Sequence, residues 1–255
     1  AFHEKAKGMA HYKLILAYDG TNYNGFQRQA IKTSVQATFE EALRRLGWQG
    51  RAIMPSGRTD TGVHARGQVI SFNLDWKHPD YALQNALNAF LPADIAVQSV
   101  KQVAAEFHPR YDALSRQYRY QLYCQSARDP LRDRFAWRLE RKPDIMLMQA
   151  AANDLLGEHD FIAFGKALKE GATTIRRIFS ADWVEEEDGM SFTIVGNAFL
   201  YHMVRRIVYV LVRIGLGELP VETVRLGLEN LSTGIVSLAP ARGLTLEAVT
   251  FSEDK

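Results

Sequence analysis

The stretch Tyr12-Lys13-Leu14-Ile15-Leu16-Ala17-Tyr18 sets Tyr12, Leu14, Leu16 and Tyr18 against Lys13, Ile15 and Ala17, and runs straight into Asp19-Gly20. A period of two predicts a strand, and the Asp-Gly pair predicts the turn that closes it. Ser34 then caps a helix with Val35, Phe39, Ala42, Leu43 and Leu46 on one face, stopped by Gly47. Short apolar segments follow at 52–54 and 68–74, separated by a polar, glycine-bearing loop. Asp80 caps a second helix through Phe90, stopped before Pro92, and Ile95 to Val103 returns as a strand. The order is β-α-β-β-α-β.

The same order recurs further on. Gln117 to Cys124, with tyrosines at 118, 120 and 123, predicts a strand. Asp144 caps a helix carrying Ile145, Met148, Ala152, Leu155 and Leu156, closed by Gly157. Segments 174–186 and 190–199 form a hairpin around Asp188-Gly189, a strong turn signal. Residues 201–215 and 221–230 are helical, the apolar run from Ile207 to Leu216 belonging to the core, and 244–251 is a final strand. The expected fold class is therefore α+β: two ferredoxin-like βαββαβ halves with abutting, mainly antiparallel sheets and a central cleft suited to RNA. The expected division is residues 1–10 as a disordered arm or expression remnant, 11–106 as an N-terminal α+β domain with the Asp60 loop, and 107–255 as a C-terminal α+β domain.

Composition bounds the function classes. With 255 residues, 47% apolar and 24% charged, the chain can bury a real core, which excludes wholesale disorder and fibrous architecture. A single cysteine, Cys124, excludes a disulfide framework and any cysteine-built metal site. The apolar run from Ile207 to Val212 is closed by Arg206 and Arg213, far short of a membrane span. Residues 1–10 carry scattered charge and no apolar core of a signal peptide. A cytoplasmic protein without membrane association is the expectation. Net charge is only +2, yet nine Lys and Arg residues crowd 110–142 while acid collects at Glu185, Glu186, Glu187 and Asp188. The basic stretch fits a polyanion-binding face as well as a solvated surface of mixed charge.

Four segments break the pattern of polar loops and apolar elements: 18–29, 57–68, 107–120 and 196–206. In the second, Asp60 lies in a turn-rich loop between Gly57 and Gly62, with Arg58 and Arg66 nearby. Glycines let backbone approach a ligand and arginines suit phosphate. Asp60 and His64 are four apart, a spacing for two metal ligands on a helix. Gly62 lies between them, however, and no further His or Cys clusters there, so no metal is expected. A second carboxylate for paired acid–base hydrolysis is missing nearby. No glycine-rich phosphate loop or His-Glu-x-x-His motif suggests a nucleotide- or metal-dependent enzyme.

The run Gly57-Arg58-Thr59-Asp60-Thr61-Gly62-Val63-His64-Ala65 resembles the catalytic loop of the TruA-type tRNA pseudouridine synthases. Tyr18-Asp19-Gly20-Thr21 with Gly25-Phe26-Gln27-Arg28-Gln29, Phe107-His108-Pro109-Arg110, the run from Asn197 to Arg205, and the run from Ala239 to Leu244 resemble its other blocks, in the family's order. The resemblance implies isomerisation of uridine to pseudouridine at positions 38, 39 and 40 of the tRNA anticodon stem-loop, with base flipping and a homodimeric enzyme. It implies that Asp60 is the single catalytic aspartate. A carboxylate there can add to C6 of the base or to C1′ of the ribose, or assist elimination at C2′. Tyr118 matches the tyrosine that stacks on the target base, with Tyr120 on the same strand face as the core tyrosine. Arg205 matches the basic residue that pairs with the aspartate, and Arg58 the arginine that holds the gap left by the flipped uridine. His108 and Arg110 match RNA contacts, and Arg176 a positional arginine. Residues 18–29 shape the cleft or contact RNA, with Gly20 and Gly25 as turn residues. Isomerisation is redox-neutral, so no cofactor is expected.

The sequence departs from that pattern at Thr61, where Ala is common, at Arg206 and Tyr209 in place of Asn and Gly, and at Thr245 in place of an aromatic. Arg206 adds charge beside the expected site. The competing class is a non-catalytic RNA-binding protein, which basic loops and tyrosine-rich strands would also fit but which has no use for the Asp60 loop.

Overall fold

The computed structural model describes residues 9–30, 33–167 and 171–252. Residues 1–8 of the expected N-terminal arm lie outside them. Within the described residues, one compact unit takes the chain up to Leu114 and again from Glu247, and a second takes Ser115–Leu246.

In the first unit the elements are β1 (Ala10–Tyr18), α1 (Val35–Arg45), β2 (Met54–Pro55), β3 (His64–Leu74), α2 (Asp80–Phe90) and β4 (Ile95–Val103). The alternating stretch read from the sequence is β1, and its larger side chains point inward: Tyr12, Leu14, Leu16 and Tyr18 are all buried. β1 is central, antiparallel to β3 (Leu14 opposite Ile70) and to β4 (Leu14 opposite Val100). β2 pairs antiparallel with β3 through Met54 and Ser71. Phe72 of β3 lies against both Tyr12 and Phe39, which ties the sheet to α1. Ser34 caps α1 as expected, its Oγ accepting from the Ala37 amide at 3.3 Å. Asp80 does not cap α2. Pro79 holds that position, and the Asp80 carboxylate accepts the Gln102 amide of β4 instead.

The second unit contains β5 (Ser115–Cys124), β6 (Trp137–Leu139), α3 (Ile145–Asn153), β7 (Gly157–Asp160), β8 (Ile175–Glu186), β9 (Gly189–Gly196), α4 (Met203–Gly215) and α5 (Thr223–Glu229). Strand order is β5-β9-β8-β7, with β6 parallel on β5; the β5–β9, β9–β8 and β8–β7 pairings are antiparallel. The predicted hairpin turns at Asp188-Gly189. Asp144 caps α3 by accepting from the amides of Met146 and Leu147. Ile207, Val208, Val210, Leu211 and Val212 of α4 are buried, so this helix is core. The last strand, β10 (Leu244–Thr250), has its residues from Glu247 in the first unit, where Gly67 of β3 approaches the Glu247 carbonyl closely.

Several boundaries differ from the sequence expectation, β3 among them, which starts at His64 rather than 68. α4 starts at Met203 rather than 201, because His202 takes a left-handed conformation (φ 65°) and Tyr201 bonds to Lys166 as an isolated bridge. β9 ends at Gly196, where Asn197 turns back to bond Arg177. β6 and β7 were not expected: each is four residues or fewer and takes its conformation from a longer neighbour. The fold is α+β, with pairing that is largely antiparallel.

Candidate active site

The loop between β2 and β3 carries Arg58 and Asp60, and its course is fixed by backbone and side-chain hydrogen bonds. Ser56 donates its amide to the Val69 carbonyl (2.8 Å) and its hydroxyl to Gln68 Oε1 (2.8 Å), while Gln68 Nε2 donates to the Gly57 carbonyl (3.1 Å). Further along, the Phe26 amide donates to the Thr59 carbonyl (3.1 Å), the Gly62 amide to the Tyr23 carbonyl (3.3 Å), and the Val63 amide to the Asp60 carbonyl (3.1 Å). The segment 20–26 is thus the seat of the loop. Its glycines are more than turn residues. A Cβ on Gly20 would stand 2.0 Å from the Val63 carbonyl oxygen, and one on Gly25, whose φ is +82°, 2.8 Å from that of Thr59. Thr59 is buried, Asp60 half-buried and Arg58 exposed. Asp60 is therefore carried on a fixed peptide.

His64, the first residue of β3, is buried, and its Nδ1 accepts the Gly20 amide (3.0 Å) while lying 3.2 Å from Asp19 Oδ1. Asp19 also accepts the amide and hydroxyl of Thr21. The imidazole is thus a fastening of the seat. Among the described residues no group of three or more His, Cys, Asp or Glu could hold a metal ion. Arg28, in the block read as shaping a cleft or contacting RNA, is exposed but bonds a buried carboxylate. Its Nη1 meets Glu40 at 2.6 Å and its Nη2 the Arg51 carbonyl at 3.2 Å. Glu40 is fully buried and also accepts from Gln36 Nε2 and the Ile53 amide, so the charge is compensated on three sides.

His108 and Arg110 lie in the turn after β4. His108 Nδ1 accepts the amides of Arg110 (3.1 Å) and Tyr111 (3.4 Å), and the His108 amide donates to Asp112 Oδ2 (2.9 Å). The His108 side chain organises the turn, and Arg110 stands exposed on it.

In the second unit Tyr118 lies on β5 opposite Ile194, half-buried, with its ring edge-on to Phe199 at 5.2 Å. Two residues on, Tyr120 is fully buried and donates to the Pro240 carbonyl (2.8 Å). The two tyrosines thus divide as expected, one half-open and one core. Arg205, in the first turns of α4, donates Nε to the Ala239 carbonyl (2.8 Å), and its own carbonyl accepts the Ala239 amide (3.1 Å). Arg205 and Tyr120 together fasten the Ala239-Pro240 segment. Burial pushes the Tyr120 phenol well above its ordinary value of 10.0, against the opposing pull of the Arg205 and Arg242 charges. Arg176 bonds the carbonyls of Thr173 and Ile175 near its own backbone. Burial lowers the Arg206 guanidinium from its ordinary range.

The basic stretch of the second unit is largely spoken for. Arg119 pairs with Glu186, Lys142 with Glu185, and Arg132 bonds the Asp188 carbonyl, so the basic stretch and the acidic run are partners. Arg138 bonds the carbonyls of Gln125 and Ser126, and Arg141 meets Glu218 at 2.9 Å. These five residues make contacts within the second unit.

Sequence reasoning missed Tyr18, Thr59, Asp19 and His64 as supports of the Asp60 loop. The only hint was their place in the same dense blocks.

The fold is α+β, with Asp60 on a glycine-seated loop of the first unit and the half-buried Tyr118 on a strand of the second. A family model described as tRNA pseudouridine synthase matches residues 14–112 and 151–252. A tRNA pseudouridine synthase A of Geobacter sp. (strain M21) is 42% identical over 249 residues, covering 96% of this chain and 100% of that protein. One from Syntrophotalea carbinolica is 40% identical, covering 96% and 97%, and one from Limosilactobacillus fermentum is 38% identical, covering 95% and 96%. A solved Cbf5-Nop10-Gar1 complex aligns with 80% of this chain and 45% of that one at 12% identity and a TM-score of 0.35, too distant to bear on the site. The chain belongs to the tRNA pseudouridine synthase family. It is an isomerase of tRNA uridine.

Proposed function

We propose that the chain converts uridines 38, 39 and 40 of the tRNA anticodon stem-loop to pseudouridine, with Asp60 as the single catalytic carboxylate acting on a flipped-out uridine. The observation that carries this reading is the loop of residues 57–63: its peptides are held from both sides, while Asp60 projects half-buried beside an exposed Arg58. The reaction conserves atoms. The N1–C1′ bond breaks, the base turns, C5 bonds to C1′, and the proton that C5 gives up is balanced by one gained at N1. No redox partner or acceptor group is required. One carboxylate suffices by adding to C1′ or C6, or by assisting elimination at C2′.

The other residues take separate roles. Flipping costs a few kcal/mol, which Arg58 offsets by filling the gap. Tyr118 stacks on the base, an interaction worth on the order of 1–3 kcal/mol, and its contact with Phe199 leaves the ring half-open for that purpose. Arg205 is a substrate-binding cation held rigid by Ala239. His108 shapes the turn on which Arg110 meets RNA phosphate. The strand relations support reading both units as ferredoxin-like: β4-β1-β3 with β2 on β3 in the first, and the β8–β9 hairpin on β5 in the second. No described helix is long and apolar enough to cross a membrane, and we read the tRNA-modifying reaction as cytoplasmic. The working unit is taken to be a homodimer.

The test is pseudouridine content in unmodified tRNA transcripts incubated with wild-type protein and with Asp60→Ala. Pseudouridine at 38 to 40 with the wild type alone supports the reading. Salt-dependent tRNA binding by both proteins, with pseudouridine from neither, would make the chain an RNA-binding module.

A further inference from the structure

We infer that Tyr18 and Thr59 are positioning residues for the isomerisation, a hydroxyl pair that sets the direction in which Asp60 projects. The inference rests on Asp60 being the catalytic carboxylate.

Tyr18 ends β1 and Thr59 immediately precedes Asp60. Both are buried, and their hydroxyls lie 2.8 Å apart. Two hydroxyls at that distance share one hydrogen bond whichever donates. Thr59 is thereby held at two points, its Oγ1 by the Tyr18 phenol and its carbonyl by the Phe26 amide. Phe26 is itself against the Tyr18 ring, at 6.1 Å, so the three residues form a closed set. Gly25 closes the remaining side, since the Thr59 carbonyl occupies the space a Cβ would need.

The consequence is specific to the Asp60 backbone. Backbone bonds alone fix the carbonyl of Thr59 and that of Asp60, but a peptide plane can still rock about the line between two anchors. A third anchor on the Thr59 side chain, out of that line, removes the freedom. A β-branched residue has few χ1 wells, so fixing Oγ1 also fixes the Thr59 Cα orientation and hence the direction of the next residue. Misplacement of a reacting group by about 1 Å can cost on the order of 10²-fold in rate. Removal of the hydroxyl pair should therefore slow chemistry without weakening tRNA binding.

The experiment uses the full chain and unmodified tRNA transcript, comparing Thr59→Val, Thr59→Ser, Tyr18→Phe and the Tyr18→Phe/Thr59→Val double variant with wild type, and Asp60→Asn as reference. Thr59→Val keeps the volume and branching and removes only the hydroxyl. The expected result is a kcat lower by about 10- to 100-fold for Thr59→Val and Tyr18→Phe, with KM and tRNA affinity within about twofold of wild type. Thr59→Ser should recover most of kcat, and the double variant should be no slower than the slower single, as for two halves of one bond. Wild-type kcat in Thr59→Val would overturn the proposal. So would multiplicative losses in the double variant, or a loss in Thr59→Val that Ser fails to restore. If Asp60→Asn turns over like wild type, both this proposal and the catalytic assignment fall. An inactive Asp60→Asn beside a fully active Thr59→Val overturns the positioning role alone.

Discussion

The Asp60 loop of the first unit and the Ala239-Pro240 segment of the second differ in what packs most closely against them. The loop rests on backbone: Gly20 and Gly25 bring main chain against the carbonyls of Val63 and Thr59 with no side chain between. Besides the Ala239 amide on the Arg205 carbonyl, the segment is held by side chains, with Arg205 Nε on the Ala239 carbonyl and the Tyr120 hydroxyl on that of Pro240. Glycine serves in the second unit too, but Gly243 faces the ring of Tyr120 most closely, with the Gln121 carbonyl at 2.9 Å behind it. Backbone cannot retreat without moving the elements that own it, whereas a side chain can rotate or be replaced. The first arrangement should therefore fail all at once and the second by degrees.

The largest expected effect follows from the first arrangement. Gly20 is buried and its added Cβ would meet the Val63 carbonyl at 2.0 Å, so Gly20→Ala should cost about 3 kcal/mol or more in urea unfolding. Gly25→Ala adds a methyl at φ +82° and should cost less, with about 1–2 kcal/mol from the left-handed backbone alone. Gly20→Ala stability within about 1 kcal/mol of wild type would break the contrast, because the loop would then be free to shift.

The side-chain arrangement predicts a smaller and repairable loss. An added Cβ at Gly243 would lie 2.5 Å from Tyr120 Cζ, and Gly243→Ala should cost about 1–3 kcal/mol. Shortening the opposing side chain, as in Tyr120→Leu, should make the pair of changes less costly than the sum of the singles. Strict additivity in that double-mutant cycle would show that the ring does not determine the cost.

A milder probe is Tyr120→Phe, which strips only the hydroxyl and leaves the Pro240 carbonyl without that donor, at about 1 kcal/mol near neutral pH. Its pH dependence has a definite sign. Burial raises the Tyr120 pKa above 10.0, so the folded chain keeps this proton where the unfolded chain gives it up. The stabilisation is fully present below about pH 10 and is lost as pH rises above that value. Tyr12, Tyr23 and Tyr123 are raised by burial as well, so the fall of stability between pH 9 and 11 has several sources. Tyr120→Phe should flatten that fall by no more than one proton's share, about 1.4 kcal/mol per pH unit. An unchanged slope would show that the Tyr120 proton does not distinguish the folded from the unfolded chain.

What was legible in the sequence follows the same division between local and distant causes. Strand β1, the Ser34 and Asp144 caps and the Asp188-Gly189 turn depend on neighbours within a few residues, and the structure bears them out. β6 and β7 were illegible because Trp137–Leu139 and Gly157–Asp160 are strands only by virtue of pairing with β5 and β8. The left-handed His202 and the pairing of Tyr201 with Lys166 likewise depend on residues far along the chain, so the start of α4 was misplaced. The motif blocks at 18–29 and 57–68, which the structure packs together, gave no sign of how they are joined. The Tyr18–Thr59 hydroxyl pair, the bond of Arg28 to buried Glu40, and the pairing of Arg119 and Lys142 with the acidic run all need the fold to bring them together.

The smallest expected effect on stability is also the sharpest test of the contrast. Gly57 begins the Asp60 motif, yet its φ is not positive, unlike that of Gly25, and nothing lies within 4 Å of an added Cβ, unlike at Gly20 and Gly25. Its carbonyl accepts from Gln68 Nε2, a bond that a methyl on Cα does not touch. Folding therefore gives no reason for glycine here, and Gly57→Ala should leave unfolding free energy within about 0.5 kcal/mol of wild type. If the open space beside exposed Arg58 admits the tRNA backbone, the same change should raise KM for tRNA with kcat little altered, because bulk at that point obstructs binding and not the carboxylate. Unchanged stability with raised KM would separate a glycine kept for substrate from the two that seat the loop. Lost stability would instead make Gly57 part of the seat, and the line drawn between the two kinds of glycine in this loop would disappear.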